Sequence, residues 1–204
     1  MSPTEAICKQ RRAQILEAAL TIFTRSGIDH ARMEDIAEEA GLSKGTLYLY
    51  FESKDDLIHS LLEQLSEAYG QPVQAIAGEE GPVIERLNAL AHAMVDYTEQ
   101  LTEIWPVIYE SYAWALREEE LRCMMQKHFD ASRKLLEVLI RKGIEQGEFR
   151  RVDPAETALQ LVALHEGLQQ LRALYGETTD WRATMLHAVA LIVAALKPHP
   201  AAEE

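Results

Sequence analysis

Between Met33 and Phe51 the chain reads MEDIAEEAGLSKGTLYLYF, and its second half carries Ser43, Lys44, Thr46, Tyr48 and Tyr50. Hydroxyls, an ammonium and phenols are groups that meet phosphate oxygens and base edges. Leu47 and Phe51 are four apart and share the buried face of a helix, which leaves Lys44, Thr46, Tyr48 and Tyr50 on the remaining surface. Ser43 stands where an N-cap belongs, its hydroxyl placed to accept from the amide of Gly45 or Thr46. The amides of that first turn add a phosphate site that needs no side-chain charge. Lys54 follows at the start of the next helix, within reach of a phosphate backbone, and Lys9, Arg11 and Arg12 cluster at the start of the first. The chemistry these residues can do is to hold and read duplex DNA.

The elements that must position them are short helices. The spacing predicts a helix over about Met33 to Ala40, with Ile36, Ala37 and Ala40 inward, stopped by Gly41. Two short helices meeting at a Gly-containing turn are a helix-turn-helix, whose second helix enters the major groove. Ile15, Leu16, Ala19, Leu20 and Phe23 mark an amphipathic helix before it, ending at Gly27. A fourth helix is expected over Leu57 to about Tyr69. Residues 70–82, GQPVQAIAGEEGP, have the Gly and Pro content of a linker. Further helices are expected over about 83–101, from a Thr102 cap with Pro106 in the first turn, over 119–146, over 154–175 and from Thr179 or Asp180 to before Pro198. Asp153-Pro154-Ala155-Glu156 is a strong start signal, with Asp153 as N-cap and Pro154 at the first helical position. No period-two pattern persists. The reading is all-α, about nine helices, with a DNA-binding domain over 9–69 (helix-turn-helix about 32–51) and a second domain over 83–197.

Composition narrows the classes. The 204 residues carry a net charge of −13, which weighs against nucleic acid as a partner unless positive charge is local. The acids Glu34, Asp35, Glu38 and Glu39 fall on the first helix of the helix-turn-helix, which crosses the backbone rather than entering the groove; they still lower affinity, and steep salt dependence is expected. Cys8 and Cys123 are far apart and show no metal or disulfide spacing. The longest apolar run, Ala188 to Leu196, is too short to span a bilayer, and the N-terminal stretch lacks a secretory pattern. A cytoplasmic protein without membrane contact is expected. HExxH, GxSxG, P-loop and GxGxxG motifs are absent, and no His is preceded by Glu three residues earlier. No enzyme activity, metal or cofactor is expected.

The final helix, from Trp181 through MLHAVALIVAAL, is apolar almost all round and must be covered on more than one side. With Leu159, Val162, Leu168, Leu171 and Leu174 on the preceding helix, a four-helix bundle between two subunits fits, with Leu168, Leu171, Trp181, Met185, Val189 and Ile192 as its interface. The stretch Trp105 to Trp114, WPVIYESYAW, supplies aromatic walls for a core or a pocket.

Residues 9 to about 69 resemble the TetR/AcrR family of bacterial one-component transcriptional regulators, through ILEAALTIF, DIAEEAGLSKGTLYLYF and the SKDDL that follows it; KGIEQGEFR-VDPAE is similar to the family's ligand domain. The resemblance implies a nine-helix two-fold dimer in which three helices bind DNA, the fourth transmits, and the rest bind a ligand and dimerise. Carried over by position, Ser43, Lys44, Thr46, Tyr48, Tyr50 and Lys54 match the DNA-contacting set. Arg32 stands where the family has a Thr or Ser cap; the cap bond is lost, and a guanidinium there can bind a phosphate directly. The resemblance places a pocket among helices five to eight, with Met94, Tyr97, Trp105, Ile108, Tyr109, Tyr112, Met125, Phe129, His165 and Gln169 as its candidates. A core role is the alternative for each. Glu110 and Glu166 would favour a cationic ligand if they line it. The expected function is a homodimeric repressor released from a palindromic operator by a small, largely apolar effector. The alternatives are an activator or ligand-dependent DNA binder of the same fold, and a helical small-molecule-binding protein with no DNA role.

Overall fold

The computed structural model describes residues 3–198. Among them are the helices α1 (Pro3–Ser26), α2 (Met33–Glu39), α3 (Lys44–Tyr48), α4 (Lys54–Gly78), α5 (Val83–Gln100), α6 (Trp105–Ala115), α7 (Glu119–Glu145), α8 (Pro154–Tyr175) and α9 (Trp181–Leu196), with two short 3-10 turns and no strand. The described residues form two compact units, 3–67 with Leu101–Met124, and Ala68–Gln100 with 125–198.

The first unit is built on α1. Ile15, Ala19, Ile22 and Phe23 of α1 bury against Ile36 of α2, Leu47 and Phe51 around α3, Leu57, Ile58 and Leu61 of α4, and Val107 of α6. Each Ile, Leu, Phe or Val side chain taken from water contributes about 1.5–3 kcal/mol, so the orientation of the short α3 is set by Leu47 and Phe51 rather than by its own helical stability. The turn between α2 and α3 needs Gly41, whose φ is 65°. It lets Gly41 N–H reach the Glu38 carbonyl and Leu42 N–H the Ala37 carbonyl, at 2.9 and 2.8 Å, closing α2. Gln14 Nε2 of α1 donates to the Ala40 carbonyl at 2.6 Å. Arg12 Nη1 donates to the Tyr50 carbonyl at 2.8 Å and Nη2 to Ser60 Oγ at 3.1 Å. Its guanidinium also lies 4.2 Å over the Phe51 ring. The sequence places Arg12 in a basic cluster; in the structure it ties α1 to the end of α3.

In the second unit α9 packs on α5 and on α8. Val83, Leu87, Leu90, Leu139, Ile140, Phe149, Ala158, Leu161, Val193 and Leu196 form its core. Asp153 accepts from the Ala155 and Glu156 amides at 2.9 and 3.1 Å, so the start of α8 is as the sequence reads. Asp180 does the same for α9 through Ala183 N–H at 2.9 Å. The first amides of α5 are held from far along the chain: Val83 and Ile84 N–H donate to Glu148 at 2.9 and 3.0 Å. Two residues on, Arg150 holds the end of α9, its N–H and Nε donating to the Leu196 and Ala195 carbonyls, both at 2.8 Å.

Two local expectations are corrected. Residues 70–82 do not form a linker throughout: α4 continues to Gly78, because Val73 is buried and Ile76 and Ala77 pack on the second core. That burial outweighs the breakers Gly70 and Pro72. Thr102 does not cap α6: a 3-10 turn over Thr102–Ile104 leads into it, and its N-cap is Ile104, without a side-chain cap bond.

Candidate DNA interface and effector site

Ser43 sits at the N-cap of α3 in extended backbone and accepts from Thr46 N–H at 3.1 Å. Its Oγ also lies 2.8 Å from Thr46 Oγ1, so the two hydroxyls form one hydrogen-bonded pair at the start of the helix. Lys44 and Tyr48 are exposed one turn apart, the ammonium 5.8 Å from the ring centroid. Lys44 is paired with Glu34 of α2, and this bond raises the ammonium's pKa and lowers the carboxyl's. Thr46 is half-buried.

Two of the expected contacts, Tyr50 and Lys54, take different positions. Tyr50 is half-buried against the first core and does not stand free beside Tyr48. Lys54 spends its ammonium on the carbonyls of Ile28, Asp29 and Ala31, at 2.6, 3.2 and 3.3 Å. That uses its donors to hold the loop between α1 and α2. Arg32 is exposed at the N-cap of α2 with no side-chain cap bond, as the sequence implies. Leu49 was not anticipated: it is 82% exposed at the end of α3. The alternation Leu47, Leu49, Phe51 marks it, since both neighbours turn inward.

The effector candidates fall in two groups, one in each unit. On α6 of the first unit, Trp105, Ile108, Tyr109 and Tyr112 are half-buried. Trp105 stacks on Tyr109 at 5.7 Å, and Tyr109 meets Tyr112 edge-on at 5.9 Å. Trp105 Nε1 is buried without a partner. In the second unit Met94 packs on the core, Tyr97, Met125 and Phe129 are half-buried, and Gln169 is fully buried. Phe129 meets His128 edge-on at 5.6 Å. Burial pushes the Tyr97 phenol up and the His128 imidazole down; His165 is pushed down to about 4. Glu110 does not offer its carboxylate to a cation: it accepts from Ile28 and Asp29 N–H at 2.9 and 3.2 Å.

The residues named for the subunit interface divide by their burial in the protomer. Trp181 and Met185 are buried inside the protomer, Trp181 Nε1 donating to the Gly176 carbonyl at 2.6 Å. Val189 and Ile192 pack on the second core. Leu168 is half-buried, and Leu171 is exposed. On α8 and α9 the large apolar side chains left exposed are Leu159, Leu171, Leu174, Tyr175 and Leu191. Among the described residues no helix is long and apolar enough to cross a membrane, and no cluster could hold a metal ion.

Residues 15–61 match the family model of bacterial regulatory proteins of the tetR family, and residues 83–198 match the C-terminal model of BetI-type transcriptional repressors. The HTH-type transcriptional regulator YfiR of Bacillus subtilis (strain 168) is 33% identical over 181 residues, covering 86% of each chain. A TetR transcription regulator from Haloarcula marismortui superposes with a TM-score of 0.84 at 21% identity, over 93% of this chain and all (100%) of the other. A transcriptional regulator from Saccharomonospora viridis, solved with choline, gives 0.82 at 25% identity over 94% and 100%.

Proposed function

Because the chain belongs to the TetR family of bacterial transcriptional regulators, we propose that it is a homodimeric repressor that leaves a palindromic operator when a small molecule binds its second unit. The observation that carries this reading is α3, where Leu47 and Phe51 turn inward and Ser43, Lys44, Thr46, Tyr48 and Leu49 are left at the surface. Such a helix fits the major groove. Lys44 and the phenol of Tyr48 supply phosphate or base contacts, and Leu49 supplies an apolar face for a thymine methyl. Arg32 adds a phosphate contact at the start of α2. Tyr50 and Lys54 act behind this surface, by packing and by holding the preceding loop.

Dimerisation is supported by α8 and α9, which leave Leu159, Leu171, Leu174 and Leu191 uncovered in the protomer. Two copies of that face would make a four-helix bundle, and two α3 helices would then meet half-sites about one helical turn, 34–36 Å, apart or slightly more. An effector that binds one conformation better shifts the pair away from that spacing. α4 begins at Lys54 in the first unit and ends in the second, so it is the element that couples them. A repressor of this kind acts in the cytoplasm.

The test is selection of sites from random duplex DNA by the purified chain, at low and at physiological salt. Recovery of a palindrome that survives physiological salt is the expected result. Recovery of unordered fragments that bind only at low salt, with no enrichment, sinks the reading.

A further inference from the structure

In the second unit the buried polar side chains among the described residues are Arg86, Thr98, Thr157 and Gln169. Three of them have partners within the fold. Thr98 donates to the Val95 carbonyl at 3.0 Å and Thr157 to the Asp153 carbonyl at 2.7 Å. Arg86 Nη2 donates to the Ala77 carbonyl in the last turn of α4. Its Nε and Nη1 are unpartnered, but an anion brought to them would meet the negative end of the α4 dipole.

Gln169 differs. It is 2% exposed, and neither Oε1 nor Nε2 has a partner. A carboxamide has donors at one end and an acceptor at the other, and burying both unbonded is strongly unfavourable. Native proteins rarely leave such a group, so each instance points to a partner that completes it. His165 lies one turn earlier on the same face of α8. Burial keeps its ring neutral at physiological pH, with a pKa of about 4, so it offers one N–H donor and one acceptor. The pair therefore presents donors and acceptors at helical spacing and no charge.

We propose that Gln169 and His165 are the polar anchor of the effector site, and that the effector is an uncharged molecule whose one polar group both donates and accepts, a carboxamide, lactam or alcohol on an apolar body. This rests on the reading of the second unit as the effector domain. Of the two carboxylates that would recruit a cation, Glu110 is occupied by two backbone amides in the first unit and Glu166 already has an interaction of its own. Nothing charged shares the buried face of α8 with Gln169 except through the half-buried Glu166 and Arg172, each of which already has an interaction of its own.

The experiment uses the full chain and a matched panel. Octyl, 4-phenylbutyl and 2-naphthyl skeletons are each prepared as carboxamide, carboxylate and trimethylammonium, and binding is read by calorimetry and melting temperature. A carboxamide is expected to bind the wild type at least tenfold tighter than the charged forms of the same skeleton. Gln169→Leu is expected to raise the melting temperature of the ligand-free protein, because it removes the unbonded amide, and to weaken the carboxamide at least tenfold. Gln169→Met serves the same purpose if Leu does not fit. Tighter binding of the carboxylate or ammonium form overturns the proposal while leaving the effector domain standing. Binding of no member, or a lower ligand-free melting temperature for both variants, overturns it too. DNA retention by the wild type is measured in parallel; its failure would count against the regulator reading alone, since the panel result is independent of it.

Discussion

Glu110 and Lys54 hold opposite polarities of one loop. The Glu110 carboxylate takes the N–H groups of Ile28 and Asp29, while the Lys54 ammonium takes the carbonyls of Ile28, Asp29 and Ala31. The peptide groups between α1 and α2 are thus gripped from α6 on one side and from α4 on the other. Glu110 neighbours Tyr109, which stands in the aromatic cluster of α6, so a shift of that helix reaches the start of the helix-turn-helix through one carboxylate.

Glu110→Ala removes two hydrogen bonds to a charged acceptor. A loss of about 1.5–3 kcal/mol in urea unfolding is expected, together with weaker DNA binding. Unchanged stability would mean that the loop holds its shape without α6.

Lys54→Met separates positioning from phosphate contact. If Lys54 acts by holding the loop, DNA affinity falls while the slope of log affinity against log salt stays the same. A slope smaller by about 1 would instead make it a phosphate contact.

Glu34→Gln releases Lys44 from its partner on α2. Tighter DNA binding with a steeper salt dependence is expected, because an acid beside the groove-facing helix is removed and a cation freed. Lys44→Ala and Tyr48→Ala should abolish binding with the fold intact by circular dichroism. Retained binding in both would place the interface elsewhere.

His165 makes stability acid-sensitive. Its folded pKa is depressed to about 4 by burial, against an ordinary value of 6.5. The unfolded chain therefore binds the proton first, and stability is lost as pH falls from 6.5 toward 4, by at most about 1.4 kcal/mol per unit. Urea midpoints measured across that window should fall more steeply for the wild type than for His165→Gln. Parallel curves would show that the ring is solvated.

Leu171→Glu and Leu191→Glu test the outer face of α8 and α9. Both should give monomers by light scattering with little loss of helix. Met185→Ala is buried in the protomer, so it should lower stability by about 2–5 kcal/mol without first splitting the dimer.

The helix-turn-helix was legible because each of its boundaries is written within a few residues. Ser43 caps the helix it precedes, Gly41 ends the one before, and Leu47 with Phe51 fixes the inward face. What could not be read is what depends on distant partners. Arg12 and Lys54 look like free cations until α3 and the 28–31 loop are folded against them. Residues 70–82 looked like a linker because Gly and Pro act locally, whereas the burial of Val73 is a tertiary effect. On α9, an apolar surface all round could not distinguish Trp181 and Met185, which turn inward, from Leu191, which turns out. Glu110 offered no signal at all, since its partners are backbone amides far away in sequence.

Glu148, which receives the first two amides of α5, lies 65 residues after Val83. Helix α5 therefore cannot complete its own beginning when it first leaves the ribosome. At a synthesis rate of about 5–20 residues per second, roughly 3–13 s pass before its acceptor exists. Through that interval the apolar stripe Val83, Leu87 and Leu90 lacks both its N-terminal anchor and most of its packing partners. The nascent second unit therefore carries an unanchored apolar stripe until the turn after α7 has emerged, a timing imposed by the placement of one carboxylate.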